Sequence, residues 1–183
     1  MEEELIDIEA LKKGDARTYQ KLVKLFSKRV YNSSFYILQN KEEAEDITQD
    51  VFMTVYQSIH FFKGDAKLST WIYRITINKC QEYIRFKTRK KRFGFNLSLD
   101  NVFNLGTKES PEHLLLKAEE SRLLFETIEK LPEKQRVAYT LFNMEEHSYQ
   151  EIAEIMEMSH SAIESLIFRA KQNLRKNLSN YNN

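Results

Sequence analysis

The sequence contains only one cysteine, two prolines and four glycines in 183 residues. The single cysteine, Cys80, cannot form an internal disulfide and cannot anchor a cysteine-rich zinc site on its own. The scarcity of glycine and proline argues against a β-sandwich or β-barrel, whose many tight turns need both. No apolar run approaches the ~20 residues of a membrane-spanning helix. The acidic start, MEEELIDIEA, lacks the basic and apolar blocks of a signal peptide, so we predict a cytoplasmic protein.

The four histidines lie far apart and form no HExxH or similar metal-ligand pair. We therefore predict neither a metal site nor a cofactor. The chain is 42% hydrophobic and 30% charged, a balance that supports a real core and argues against general disorder. Most of the chain consists of good or fair helix formers. Together these features predict an all-α protein.

The net charge of the chain is only +1, but its charged residues are distributed unevenly along the sequence. Residues 1–86 are balanced, whereas residues 87–109 carry six basic and two acidic residues. The last acidic residue of the chain is Glu164, and four basic residues follow it. Local basic surfaces on a nearly neutral chain are typical of a protein that contacts nucleic acid in places and another protein elsewhere.

Two helical blocks flank a segment of different composition. We predict two small helical domains, over residues 1–88 and 111–183, joined by a linker over residues 89–110 in which basic residues and turn formers accumulate. The linker is also apolar, which favours docking onto another surface. Hydrophobic periodicity predicts helices near residues 4–13, 15–39, 41–59, 68–88, 111–130, 133–145, 148–157 and 159–178.

The helix predicted over residues 41–59 begins with a capping signal, Asn40 followed by Glu43. Its apolar residues fall on one side, which predicts a core face: Ala44, Ile47, Val51, Phe52, Val55 and Ile59. The opposite side carries acids around a methionine: Glu42, Glu45, Asp46, Gln49, Asp50 and Met53. A flexible apolar group among carboxylates is typical of a protein-docking surface. From the residues alone, a solvated acidic face is favoured over a docking surface, and paired carboxylates for metal or acid–base chemistry are a remote third alternative.

The helix predicted over residues 68–88 carries an aromatic and basic face opposite its core face. This outer face presents Trp71, Arg74, Asn78, Gln81 and Arg85, with Lys79 on its margin, and the preceding loop adds Phe61, Phe62, Lys63 and Lys67. A stacking plane, positive charges and an amide that reads base edges suit single-stranded nucleic acid. Packing of Trp71 against a neighbouring helix is the alternative.

The last two helices predict a helix-turn-helix, in which Ser148 and Ser159 are the capping residues. The small residue Ala153 allows the two helices to cross closely. The outer side of the last helix presents short polar residues, an aromatic and cations: Ser161, Ser165, Phe168, Arg169, Gln172 and Lys176. Such a surface fits a major groove, although a plain helical hairpin is the alternative.

Two blocks of sequence resemble the sigma-70 family of bacterial transcription initiation factors, in its short extracytoplasmic-function (ECF) branch. The first block, AEDITQDVFMTVYQSIHFFKGDAKLSTWIYRITINKCQEYIR over residues 44–85, is similar to the second conserved region of the family. The other, LPEKQRVAYTLFNMEEHSYQEIAEIMEMSHSAIESLIFRAKQNLRK over residues 131–176, is similar to the fourth. The resemblance implies two helical domains and a function in promoter recognition with core RNA polymerase.

The resemblance also assigns roles to the three surfaces. It implies that Asp46, Gln49, Asp50 and Met53 contact the clamp helices of the polymerase. It implies that the −10 element is opened and held as a single strand by Phe61, Phe62, Lys63, Lys67, Trp71, Arg74, Asn78 and Lys79, with Phe62 and Asn78 at the pocket for a flipped base. It implies that Ser161, Ser165, Phe168, Arg169, Gln172 and Lys176 face the duplex −35 element. In this family the opposite side of the C-terminal domain would contact the polymerase flap, and the linker would run towards the RNA exit channel. The resemblance also implies an anti-sigma factor as a further partner.

Two features depart from the family pattern, one in the helix-turn-helix turn and one on the last helix. Glu157 and Met158 stand in the helix-turn-helix turn where a glycine and an aliphatic residue are usual, and Glu164 stands where relatives often carry a basic residue. We expect no catalytic activity. The alternatives are an autonomous helix-turn-helix regulator and a small nuclease that uses Glu42, Asp46 and Asp50.

Overall fold

The computed structural model describes residues 6–92 and 122–179, and these ranges contain helices and no strand. The helices are α1 (Ile8–Lys12), α2 (Ala16–Leu38), α3 (Lys41–Ser58), a short 3-10 helix (Ile59–Phe61), α4 (Leu68–Arg92), α5 (122–129), α6 (Glu133–Asn143), α7 (Tyr149–Met156) and α8 (His160–Ser179). The all-α prediction is confirmed. Helix α4 continues to Arg92, past the end predicted near residue 88. Most of the predicted linker, and the first part of the helix predicted over residues 111–130, fall outside the described residues.

The start of α3 follows from its sequence. The side chain of Asn40 accepts a hydrogen bond from the backbone N–H of Glu43 at 3.0 Å, as the capping signal predicts. The carboxylate of Glu43 does not return to Asn40. It binds Lys87 Nζ at 2.6 Å, so the residue expected to complete a capping box connects α3 to α4 instead.

Helices α2, α3 and α4 pack together as the first half of the molecule. The predicted core faces are confirmed, because Val51 and Val55 on α3 and Ile72 and Ile77 on α4 are all buried. Cys80 is fully buried among them, and burial raises the pKa of its thiol to about 12. It therefore behaves as a small apolar residue. Within the described residues, no helix is both long enough and apolar enough to cross a membrane.

A single hydrophobic core extends from the first half into the second. The cluster that contains Phe26 and Ile72 also contains Leu141 of α6, Ile152 of α7 and Ile167 of α8. A smaller cluster, made only by the second half, comprises Ile128, Leu131, Tyr139, Ala170 and Leu174. The two halves are thus packed together through α2 against α6 and α4 against α7, an association that the sequence analysis did not predict.

Arg136 strengthens the junction between the halves. From the first turn of α6, its guanidinium donates to the carbonyl of Ile37 at the end of α2 (3.3 Å) and to the carbonyls of Glu129 and Leu131. The Ile37 carbonyl belongs to the last turn of α2, where backbone carbonyls have no intrahelical N–H donor. Beside this contact, the ring of Phe125 lies 6.2 Å from those of Phe35 and Tyr36, measured between centroids.

We expect Arg136→Met to lower the free energy of unfolding by about 2 kcal/mol, because methionine keeps the apolar stem but leaves three carbonyls without their charged donor. Urea denaturation of the full chain would measure the change. Arg175→Met is the control, since Arg175 is exposed on α8 and its loss should cost less than about 0.5 kcal/mol. Equal effects of the two substitutions would contradict the structural role of Arg136.

Candidate nucleic-acid interface

The acidic patch is formed by Asp46, Gln49, Asp50 and Met53. All four residues are exposed on α3, and Met53 is 57% exposed. Tyr56, which was not predicted from the sequence, lies one turn further along the same side and is 54% exposed. The ring of Tyr56 packs edge-on against Tyr19 at 5.2 Å, which restrains its orientation. The helical spacing from Met53 to Tyr56 was the available signal for this larger apolar area.

The carboxylates of the acidic patch do not gather into a metal-ligand cluster. Among the described residues, no group of three or more histidine, cysteine, aspartate or glutamate side chains could hold an ion. The exposed apolar side chains of Met53 and Tyr56 lie on the same side of α3 as these carboxylates.

The two aromatic residues that precede α4, at the end of the 3-10 helix and just after it, differ in exposure. Phe61 is 72% exposed and lies against His60, whereas Phe62 is only 8% exposed and packs against Trp71, with ring centroids 5.3 Å apart. Lys63 and Lys67 are exposed. The structure thus presents Phe61 to solvent, while Phe62, expected at a base pocket, supports Trp71 from the inner side.

On α4 itself, Asn78 is exposed and Trp71 and Lys79 are partly buried. Arg74 is turned towards the second half of the molecule. Its Nε donates to the backbone carbonyl of Glu154 at 3.0 Å, and its NH1 lies 3.5 Å from Oε1 of Glu157. Part of the predicted outer face of α4 is therefore covered by the end of α7.

Further polar contacts join α4 to the second half. Arg85 binds Glu133 at 3.2 Å, and the hydroxyl of Tyr73 donates to Glu145 at 3.3 Å. Burial raises the pKa of Glu145, partly offset by hydrogen bonds from Ser33 and Tyr73, and burial lowers the pKa of His147. These directions show that the junction favours the neutral form of both groups.

A cleft of about 530 Å³ remains between α4 and the second half. One wall carries Trp71, Asn78 and Gln81, and the other is made largely by Met156 and Met158 near the end of α7. The opposed surfaces therefore touch at particular side chains and leave space between them.

The helix-turn-helix prediction is confirmed, with Ser148 as the cap of its first helix. The Ser148 hydroxyl accepts from the Glu151 N–H at 3.3 Å, and the Glu151 carboxylate accepts from the Ser148 N–H at 2.9 Å, which completes a capping box. Ile152 and Ile163 are fully buried in the angle between α7 and α8. The turn uses Glu157 in the left-handed backbone region, with φ of 52°.

All six residues expected to face duplex DNA are exposed along α8: Ser161, Ser165, Phe168, Arg169, Gln172 and Lys176. Phe168 is 62% exposed although it is aromatic, and Arg169 rests on its own helix by donating from Nε to the Ser165 carbonyl at 3.1 Å. Glu164 is exposed on the same helix, 3.9 Å from Nδ1 of His160. The surface thus combines exposed hydrogen-bonding groups with one exposed aromatic ring.

Two family profiles match the chain. Sigma-70 region 2 matches residues 17–90, and Sigma-70, region 4 matches residues 121–174. The ECF RNA polymerase sigma-E factor of Haemophilus influenzae is 33% identical over 181 residues, covering 94% of this chain and 95% of that protein. The RNA polymerase sigma-H factor of Pseudomonas aeruginosa is 31% identical over 176 residues, covering 93% of this chain and 91% of that protein.

Solved structures share the fold at lower sequence identity. CnrH in complex with the cytosolic domain of CnrY has a TM-score of 0.69 and 19% identity, with 98% of each chain covered. The sigma factor RpoE in complex with the anti-sigma factor NepR, from Bartonella quintana, has a TM-score of 0.69 and 18% identity, covering 90% of this chain and 98% of that one.

The capping box predicts a pH dependence of stability. Hydrogen bonds from Ser148 hold the pKa of Glu151 below its ordinary value, so the charged carboxylate adds stability that is lost as pH falls through its folded pKa. The stability advantage of the native chain over Glu151→Gln should therefore be full at neutral pH and shrink below about pH 4.3. Urea denaturation across pH 2.5–7 measures the difference. Glu146→Gln, at an exposed position outside the capping box, is the control, and a constant difference for Glu151→Gln across pH would contradict the prediction.

Proposed function

Because this chain belongs to the sigma-70 family, in its ECF branch, and is a promoter-specific initiation factor of RNA polymerase, we propose that its three surfaces divide the steps of initiation among them. Membership excludes the alternative of a regulator that acts without polymerase. One observation supports the residue assignments. Every residue of the acidic patch and all six α8 residues are exposed on helix surfaces.

The acidic patch is the proposed contact with the clamp helices of core polymerase. Met53 and Tyr56 offer exposed apolar area, and Asp46 and Asp50 supply charge beside it. Interfaces of this kind draw affinity from a desolvated apolar centre, while flanking charges set orientation and association rate. The helix supporting the patch is well anchored, since its opposite side is buried in the main core.

Reversing the charge of the acidic patch should abolish its assembly with core polymerase. We expect Asp46→Lys with Asp50→Lys to prevent co-elution in size exclusion, because the new charges oppose those that the partner presents to carboxylates. The matched control, Glu9→Lys with Glu82→Lys, makes the same change in net charge at exposed positions outside α3 and should leave co-elution intact. If both double variants retain co-elution, the patch is not the contact.

The face of α4 and its preceding loop is the proposed site for the −10 element. Opening a duplex costs about 1.4 kcal/mol per base-pair step, whereas stacking a base on an aromatic ring returns about 1–3 kcal/mol. Phe61 offers an exposed ring, and Asn78 offers an amide that can read a base edge. Lys63 and Lys67 provide positive charge for the backbone of the captured strand. One or two captured bases can thus stabilise a small bubble.

The α8 face is the proposed reader of the −35 element as duplex. Its Ser161 and Ser165 hydroxyls are short enough to let the helix backbone approach base edges, Phe168 can contact a thymine methyl group, and Arg169 can donate to guanine or phosphate. Gln172 and Lys176 continue this surface along the helix. Residues on the opposite side of the second half, away from the duplex, are then available to contact the polymerase flap.

Two substitutions separate these steps on a cognate promoter. Asn78→Ala should leave closed complexes intact but reduce permanganate-detected opening, because Asn78 is exposed and its loss removes no core contact. Arg169→Ala should weaken closed-complex binding by about 5- to 150-fold, the range of a lost base or phosphate contact. Lys171→Ala is the control on α8, since Lys171 lies over the Phe142 ring, 4.6 Å from its centroid. Identical defects in all three variants would contradict the division of labour.

We further propose that residues 1–88 form the polymerase and −10 domain, residues 89–110 the linker and residues 111–183 the −35 domain. The two profile matches support this division. We place the protein in the cytoplasm, where core polymerase works, and infer that it catalyses no reaction. A structural neighbour was solved with an anti-sigma factor, which supports an anti-sigma factor as a further partner here.

A further inference from the structure

We propose that Glu164 is a specificity-determining residue of the α8 face, which selects a cytosine in the −35 element by accepting a hydrogen bond from the N4 amino group of that base. This inference rests on the proposed reading of the −35 element by α8. It adds a residue that the proposed contact set does not include, and it names the base that this residue recognises.

Glu164 lies within the surface that is proposed to face the duplex. It is the fifth residue of α8, three positions after Ser161 and four before Phe168, and residues at these spacings are neighbours on one side of a helix. All three side chains are exposed. In a helix-turn-helix, the N-terminal part of the second helix approaches the base edges. The carboxylate of Glu164 therefore stands on the part of α8 that is suited to reading bases.

The Glu164 carboxylate is available to a ligand, because its side chain is 55% exposed. Its Oε1 lies 3.9 Å from Nδ1 of His160, which is too far for a hydrogen bond. The His160 ring packs edge-on against Tyr149, with 5.7 Å between the ring centroids. The contact with His160 thus leaves both carboxylate oxygens of Glu164 able to accept a hydrogen bond from DNA.

A carboxylate at this position has an electrostatic cost. Glu164 is the only acidic residue of α8, and three exposed cations follow it on the same helix: Arg169, Arg175 and Lys176. DNA phosphates attract these cations and repel the carboxylate. An acid on this surface weakens binding to every sequence in which no base donates to it, so it acts against the wrong sites. Glu164 is therefore suited to sequence discrimination rather than to general affinity.

The chemistry of the major groove selects the base. A carboxylate only accepts hydrogen bonds, and guanine and thymine present acceptors in this groove, so both repel Glu164. Cytosine presents its N4 amino group and adenine its N6 amino group. In an A·T pair the amino group lies between two acceptors, adenine N7 and thymine O4, whereas in a C·G pair only guanine O6 lies beside it. Cytosine is therefore the base that a carboxylate favours.

The test is the selection of −35 sequences by the holoenzyme, assembled from core polymerase and the full-length chain. The library is a promoter duplex in which only the −35 region is randomised, and sequencing of the bound duplexes reports the base preference at each position. We expect the native chain to favour cytosine at one position, on one strand, by about five- to tenfold, the lower end of the discrimination that a base contact provides.

Two substitutions of Glu164 should change that position and no other. Glu164→Gln should turn the preference from cytosine to adenine, because a glutamine amide donates to N7 of adenine and accepts from its N6 amino group. Glu164→Ala should remove the preference. Glu146→Gln is the matched control, since Glu146 is an exposed glutamate outside α8 and undergoes the same chemical change. It should select the native motif.

Three results would overturn the inference. One is a cytosine preference that persists in Glu164→Gln and Glu164→Ala. Another is a uniform gain in affinity for every library sequence, which would mean that Glu164 only repels phosphate. The third is a loss of thermal stability with an unchanged motif, which would mean that Glu164 serves the helix and not the DNA.

Arg169→Ala separates the inference from its premise. If Arg169→Ala changes neither the affinity nor the selected motif, the proposed −35 role of the α8 face fails and the inference fails with it. If Arg169→Ala weakens binding or alters the motif while the Glu164 variants select as the native chain does, only the role of Glu164 is wrong.

Discussion

The packing of α4 on two sides is the constraint on which the rest of the structure depends. Its inner face, with Ile72, Ile77 and Cys80, completes the core of the first half, while its outer face meets the end of α7 through Arg74. The first contact is apolar and fully buried. The second adds a partly exposed ion pair beside a cleft to the core that the two halves share. One helix thus contributes both to the core of the first half and to the junction with the second.

Local patterns in the sequence predicted the parts of the fold that depend on one element at a time. The 3.6-residue period located the core face of α3, and the capping residues Asn40 and Ser148 marked helix starts that the structure confirms. These predictions succeed because burial and capping are decided by residues three or four apart. The end of α4 was placed too early, since its basic last turn carries no apolar period to reveal a helix.

The features that sequence patterns did not reveal depend on tertiary packing. Phe61 and Phe62 are chemically equivalent neighbours, and only the path of the loop decides that the first is exposed and the second supports Trp71. The contacts of Arg136 with Ile37 and of Arg74 with Glu157 join residues about 80 to 100 positions apart, which no periodicity encodes. The unusual residue at position 157 was visible in the sequence, but its partner was not.

The central claim is that the two halves of the free chain pack together around one shared core. Spin labels at Gln57→Cys and Asn143→Cys, both exposed and in different halves, would report this by pulsed electron paramagnetic resonance, with buried Cys80 left unlabelled. We predict a short, narrow distance distribution for the free protein in solution. A long or broad distribution, as expected for two halves that move independently, would contradict the shared core.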